Sequence, residues 1–289
     1  MVWLIGNRGM LGTDIENGLI DNYIDFIATD KEIDIADDDA LRKYIKDYYI
    51  DWIINCSAYT AVDKAEDERD LAFKVNAEGV LNIARIAKEK NAVLIHISTD
   101  YVFSGEKDGE YKEKDAPGPK SVYGLSKLQG EKNVIDMLDR YYIFRVSWLF
   151  GVHGNNFVYT MLRLFKERDE LKVVSDQYGS PTYSRDLADL IIGIVKNNVK
   201  NFGLYHFTNE GLTNWHEFAT AIYSRAKKNR LTEREIAILP ITSAEYPTRA
   251  ERPKNSSLSK DKVKKKLGIK IRSWQDALDD FFKKMRNNR

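Results

Sequence analysis

Val2-Trp3-Leu4-Ile5-Gly6-Asn7-Arg8-Gly9-Met10-Leu11-Gly12 runs from an unbroken apolar stretch into three glycines spaced by three. Glycines at those steps permit a tight turn, close approach of backbone N–H groups to a pyrophosphate, and close packing of the following helix on the strand. The amino end of that helix adds its partial positive charge. Asp30 stands eighteen residues past Gly12, at the end of the next apolar run, where a carboxylate can accept both hydroxyls of an adenosine ribose. The pattern predicts a strand, turn and helix that bind a dinucleotide. Asp30 repels a 2′-phosphate while Lys31 and Arg8 offset it, so the expected cofactor is NADH or NADPH, with NADH slightly favoured.

Outward from this turn, IDFIAT (Ile24 to Thr29), DWIIN (Asp51 to Asn55), AVLIHIS (Ala92 to Ser98) and YYIFRVS (Tyr141 to Ser147) repeat the apolar run. Continuous rather than alternating apolarity predicts strands buried on both faces. Helical periodicity lies between them, most clearly from Glu68 to Lys90 with Ala72, Val75, Gly79, Ile83 and Ile86 on one face. Alternating strands and helices predict an α/β fold, a Rossmann-type doubly wound parallel sheet with ligands at its carboxyl end. After Gly151 the pattern loosens, predicting helices near 155–168, 185–197, 214–228, 259–267 and 273–285, strands at 172–174 and 203–207, and a loop at 242–257. Residues 1–150, with 182–208 returning to the sheet, form the expected cofactor domain; 151–181 and 209–289 form the expected smaller substrate lobe.

The chain has 289 residues, 43% of them hydrophobic and 31% charged, with 17 Gly and 6 Pro. This excludes collagen-like and disordered classes. A formal charge of +1 argues against nucleic acid as a partner. The distribution is uneven: from Arg252 onward there are 13 basic and 4 acidic residues, leaving 32 basic and 40 acidic before it. Arg252 and Lys254 are candidates to meet a compact dianion, whereas the Lys260 to Lys266 run reads as a solvated helix face. Cys56 is the single cysteine; it forms no internal disulfide, reads as a small buried filler, and points to a reducing cytoplasm. No apolar run is long enough to span a bilayer. The four histidines show no zinc-ligand spacing, and no metal site is legible.

Tyr123 and Lys127 lie one helical turn apart on one face. An ammonium there favours the phenolate and is expected to lower the phenol's pKa toward the working range of a general acid. Tyr223 and Lys227 share the spacing but sit in an amphipathic helix without a cofactor fingerprint. Position separates the two pairs, because Tyr123 follows the strand ending in Ser98-Thr99-Asp100, whose hydroxyls emerge at the ligand end of the sheet.

Together, Gly6 to Gly12, NCSAYTAVDKAE, STDYVFSG, VYGLSKLQGE, FRVSWLFG, NNFV, DQYGSPT, LYHFTNEG and EYPTRAERPKNSSL resemble the dTDP-4-dehydrorhamnose reductases, a family of extended short-chain dehydrogenases/reductases. The resemblance covers nearly the whole chain and implies reduction of the 4-keto group of dTDP-4-dehydro-β-L-rhamnose to dTDP-L-rhamnose, for cell-surface polysaccharide. It implies Tyr123 as proton donor, Lys127 as its partner and ribose ligand, and Thr99 as the hydroxyl that positions the keto oxygen. It places Gly9, Met10 and Leu11 at the pyrophosphate, between Gly6 and Gly12, and Asp30 at the adenosine ribose. It further assigns Asp34 and Ile35 to the adenine, and Ala58, Tyr59 and Thr60 to the middle of the cofactor. Thr99, Asp100, Trp148 and Arg252 are assigned to the sugar nucleotide.

Cys56, Ser57 and Tyr59 depart from the small residues and histidine usual at that turn, without removing a group the chemistry needs. A homodimer is compatible with the resemblance, and magnesium is possible but not legible. Two other readings compete. One is a reductase, epimerase or dehydratase of another 4-keto nucleotide sugar; a dehydratase needs an eliminating acid–base pair, yet Asp100 is followed by Tyr101. A non-catalytic NADP-binding subunit, resembling the regulator of methionine adenosyltransferase, does not need the intact Thr99, Tyr123 and Lys127 set.

Overall fold

The computed structural model describes residues 1–287. Val2–Ile5 (β1), Phe26–Thr29 (β2), Trp52–Asn55 (β3), Val93–Thr99 (β4) and Tyr141–Val146 (β5) form a parallel sheet with Gly203–His206. The order is Gly203–His206, β5, β4, β3, β1, β2. The chain steps one way from β1 to β2 and the other way to β3, so the strand order reverses beside β1. In such sheets ligands bind at the carboxyl ends of the strands at that reversal.

Alternate side chains explain the continuous apolarity. Val2 and Leu4 enter a core with Ile15, Leu19, Leu187 and Ile191 from the helices Met10–Asp21 and Ser184–Lys196. Trp3 and Ile5 enter the opposite core with Ile83, Ile86 and Val134. β2 departs from the expectation of burial on both faces: Phe26, Ile27 and Ala28 are only half-buried, because β2 is an edge strand. A separate core, built on Phe150, Phe165, Phe218, Trp274 and Phe281, holds together the helices Phe157–Glu167, Trp215–Lys228 and Trp274–Asn287. It includes Leu171 and Val173 of the strand Glu170–Val174, which pairs in parallel with Ala237–Ile241. Periodicity does not reveal that last strand, whose residues are mostly exposed.

The helix expected from Glu68 to Lys90 is not continuous. Arg69–Phe73 and Val80–Glu89 are α-helical, but Lys74–Gly79 between them is a π-helix. The widened turn carries Asn76 inward, where it is buried. Its side-chain oxygen accepts from the Tyr59 amide at 2.9 Å, and its nitrogen donates to the Tyr59 carbonyl and the Ser126 hydroxyl, each at 3.0 Å. Such π-bulges recur at functional sites, and this one fixes the β3 loop against the Tyr123 helix.

The lysine run also differs from expectation. Lys260 is buried, Lys262 donates to the Leu204 carbonyl at 2.6 Å, and Lys264 donates to Glu210 at 3.0 Å. Arg272 pairs with Asp186 and Asp280 at 2.7 and 3.1 Å. Lys260, Lys264 and Arg272 thus meet carboxylates within the fold.

Beneath the ligand end, Glu131 accepts from Arg145 at 2.8 and 2.6 Å, with both side chains almost fully buried. Removing one member leaves an uncompensated buried charge. Arg145→Met is therefore expected to destabilise the protein by about 3–5 kcal/mol in urea titration. A Glu131→Leu/Arg145→Met double variant recovers most of that loss; strictly additive losses would contradict the pairing.

Candidate active site

A cavity of about 540 Å³ opens at the carboxyl ends of β1, β3 and β4. One wall is the glycine turn. Gly6 has φ +81°, and a Cβ on it would lie 2.8 Å from the Ser57 nitrogen. A Cβ on Gly12 would lie 2.0 Å from the Gly6 carbonyl oxygen, so helix and strand touch through backbone. Gly9 begins the helix without a side-chain cap, leaving first-turn amides free to meet an anion. Gly9, Met10, Leu11 and Gly12 all line the cavity.

The opposite wall carries Thr99, Asp100, Tyr123, Lys127 and Trp148, with Cys56, Ala58 and Thr60 between. Ser121 caps the Val122–Met137 helix, its hydroxyl accepting from the Gly124 amide at 3.1 Å. A Cβ on Gly124 would lie 2.2 Å from the Tyr101 carbonyl oxygen. This approach seats Tyr123 beside the end of β4, where its phenol hydrogen-bonds the Thr99 side chain. Lys127 is buried and donates to the Ile97 carbonyl at 2.7 Å.

The electrostatics differ from the sequence expectation. Burial pushes the Tyr123 phenol above its ordinary range, against the hydrogen bond to Thr99. Lys127 does not lower it, because the ammonium turns to the Ile97 carbonyl. Lys127 itself is brought down to about 8 by burial, opposed by the nearby Glu131 carboxylate. Asp100 is raised to about 6 by burial, against hydrogen bonds from Ser256 and Thr99.

Of the remaining expected residues Trp148 lines this cavity, whereas Gly6, Asp30, Asp34, Ile35, Tyr59 and Arg252 do not. Trp148 has φ +49°, an uncommon backbone state outside glycine, and stacks on Trp215 with centroids 3.8 Å apart. Gly6 supports the turn from behind without lining the cavity. Asp30 flanks it, since the Gly6 amide donates to the preceding Thr29 carbonyl at 2.7 Å. Asp34 pairs with Lys74 at 3.1 Å, and Ile35 packs in the sheet core. Tyr59 points its hydroxyl to Glu68 at 2.6 Å. Arg252 lies in a neighbouring cleft with Lys120, Arg249 and Lys254, and donates to Asp63 at 2.8 Å.

Cys56 is a correction: it is half-buried and lines the cavity, although burial pushes its thiol up to about 12. Sequence reasoning also missed Ser98, Tyr101, Gly154 and Asn155 on the lining. For Ser98 the signal was present in the STDYVF motif and for Asn155 in NNFV; for Gly154 no local pattern marked it. The buried Ser98 hydroxyl has no partner among the described residues. By contrast, Tyr223 donates to the Arg234 carbonyl and Lys227 pairs with Glu235, an exposed structural use of the same spacing. Among the described residues no cluster of three or more His, Cys, Asp or Glu is placed to hold a metal ion. No described helix is long and apolar enough to cross a membrane.

A family profile described as "RmlD substrate binding domain" matches residues 1–287. A dTDP-4-dehydrorhamnose reductase of Aggregatibacter actinomycetemcomitans is 43% identical, covering 95% of this chain and 96% of the relative. The chain belongs to the dTDP-4-dehydrorhamnose reductase family. Two solved family members have the same fold. One, from Bacillus anthracis in complex with NADP, is 38% identical with a TM-score of 0.91 and 98% of each chain covered. The other, from Clostridium acetobutylicum, is 38% identical with a TM-score of 0.93 and 99% of each chain covered.

Because burial dominates at Lys127, its ammonium in the cofactor-free protein is expected to lose its proton near pH 8. Carbon-13 NMR of labelled lysine, assigned by loss of the signal in Lys127→Met, measures this. Titration at the ordinary 10.5 would contradict the buried placement.

Proposed function

We propose that this chain reduces the 4-keto group of dTDP-4-dehydro-β-L-rhamnose to give dTDP-L-rhamnose, using NADH or NADPH. The observation that carries this reading is the convergence of Thr99, Tyr123 and Lys127 on the cavity lined by the glycine turn. The uncapped helix start, the backbone contact at Gly12 and the unpartnered Ser98 hydroxyl suit a bound dinucleotide. Gly9, Met10 and Leu11 hold its pyrophosphate, with Gly6 and Gly12 shaping the turn. Asp30 takes the adenosine ribose, Asp34 and Ile35 border the adenine, and Ala58, Tyr59 and Thr60 border its middle. When bound, the reduced nicotinamide supplies the hydride.

Tyr123 keeps its proton through the neutral range, as burial requires, and delivers it to the oxygen that becomes the new hydroxyl. Thr99, whose hydroxyl is held by Asp100 at 3.0 Å, orients that oxygen. Lys127 holds the nicotinamide ribose. Asp100 and Trp148 border the sugar, and Arg252 meets the diphosphate from the neighbouring cleft.

NADP in the Bacillus anthracis relative and the exposed Arg8, 3.8 Å from Glu32 beside the Asp30 corner, support acceptance of both cofactors. Residues 1–150 with 182–208 form the cofactor domain in this reading, and 151–181 with 209–289 the substrate lobe. The reaction belongs in the cytoplasm, where sugar nucleotides and reduced nicotinamides meet.

Tyr123→Phe removes the proton while keeping the ring. Turnover of dTDP-4-dehydrorhamnose, followed by loss of reduced-nicotinamide absorbance, is expected to fall on the order of a hundredfold or more, with cofactor affinity unchanged. Turnover like that of the unmodified enzyme would remove Tyr123 from the proton step.

A further inference from the structure

Ser256 has no place in the roles above, yet its hydroxyl donates to Asp100, 156 residues away along the chain. It is buried and held from two sides. Asn255–Ser256 pairs with Tyr178–Gly179, placing Ser256 opposite Gly179. Asn255 donates its amide to the Gly105 carbonyl at 3.1 Å and its side chain to the carbonyls of Lys107 and Gly109, each at 2.7 Å. A Cβ on Gly179 would lie 2.9 Å from the Trp148 ring and 3.2 Å from the Ser256 Cβ. The site's Trp, this glycine and Ser256 are therefore in direct succession.

Asp100 uses both oxygens. Oδ2 accepts from Ser256, and Oδ1 accepts from the Thr99 hydroxyl at 3.0 Å. A hydroxyl carries one proton and two lone pairs. Thr99 gives its proton to Asp100 and its oxygen accepts from the Tyr101 amide at 3.2 Å, while Tyr123 stands beside it on the cavity. Asp100 is faced by Thr99 and Tyr101 on its own turn, by Tyr123 from the helix and by Ser256 from the strand. Arg252 reaches Tyr101 from beyond and is itself paired with Asp63.

We propose that Ser256 is a positioning residue: it holds the Asp100 carboxylate in the orientation that fixes the Thr99 hydroxyl beside Tyr123. The inference rests on the reductase reading for its kinetic meaning. Loss of the Ser256 donor leaves a buried carboxylate oxygen unsatisfied and favours protonation of Asp100. Protonated Asp100 donates to Thr99. The hydrogen bond between them is then reversed, and the Thr99 proton leaves the direction that the carboxylate gives it. The raised Asp100, at about 6 against the opposing pull of Ser256 and Thr99, places this reversal within reach of an assay.

The test compares Ser256→Ala, Ser256→Thr and Asp100→Asn with the unmodified enzyme from pH 5 to 8. For Ser256→Ala the acid limb of kcat is expected to move up by about one pH unit, the scale of a hydrogen bond to a charged group. kcat near pH 6.5 falls about threefold, the KM for dTDP-4-dehydrorhamnose stays unchanged, and Ser256→Thr restores the limb by restoring the hydroxyl. Independently of turnover, carbon-13 titration of the Asp100 carboxyl, assigned by its loss in Asp100→Asn, moves by the same unit. An unmoved carboxyl titration, or a raised KM with an unmoved acid limb, overturns the proposal. An unmodified enzyme that leaves the sugar nucleotide unreduced overturns the reductase reading instead, while the carboxyl titration still decides the Ser256 contact.

Discussion

The Val122–Met137 helix packs at backbone distance against two other segments, and the site depends on that contact. Side chains at Gly124 and Gly130 would collide with the carbonyls of Tyr101 and Asn76, each 2.2 Å from the added Cβ. Only hydrogen at both positions lets the helix settle onto the end of β4 and onto the π-helix. Residues four apart then share a face. Tyr123 reaches Thr99, Lys127 reaches the Ile97 carbonyl, and Glu131 reaches Arg145 on β5. One helix face thus carries the phenol, the ammonium and the buried pair in succession.

The second constraint joins the ends of the chain. Acidic groups of the first 251 residues meet bases of the last 38: Asp63 with Arg252, Asp186 with Arg272, and Glu210 with Lys264. Exposed pairs of this kind contribute little individually. Their arrangement instead sets register, and the Asn255 contacts to the 105–109 turn do the same by hydrogen bonds. The C-terminal segment thereby delivers Ser256 to Asp100 and Arg252 to Tyr101. Part of the charge asymmetry of the sequence is the record of an internal fit.

What was legible in the sequence was local. The glycine turn declares itself because three glycines and an apolar strand are adjacent, and β1, β3, β4 and β5 because burial on both faces makes them continuous. The Tyr123–Lys127 pair was separable from Tyr223–Lys227 by its position after β4. The π-helix was not legible, because Asn76 turns inward for partners on Tyr59 and Ser126, which only the fold brings near. The left-handed backbone of Trp148 and the partners of Lys260 and Ser256 were hidden for the same reason. The phenol's pKa was misjudged because a spacing rule places an ammonium nearby but cannot say that it turns to the Ile97 carbonyl while burial dominates.

The claim that one cavity joins a nicotinamide cofactor to a 4-keto sugar nucleotide is tested most directly by isotope transfer. Purified protein is incubated with dTDP-4-dehydrorhamnose and NADH deuterated at both C4 positions, and the product is examined by NMR. The expected product is dTDP-L-rhamnose with deuterium at C4 of the sugar alone, formed one for one with cofactor oxidised. Deuterium at another carbon, the C4 epimer, or consumption of sugar nucleotide without label would contradict it.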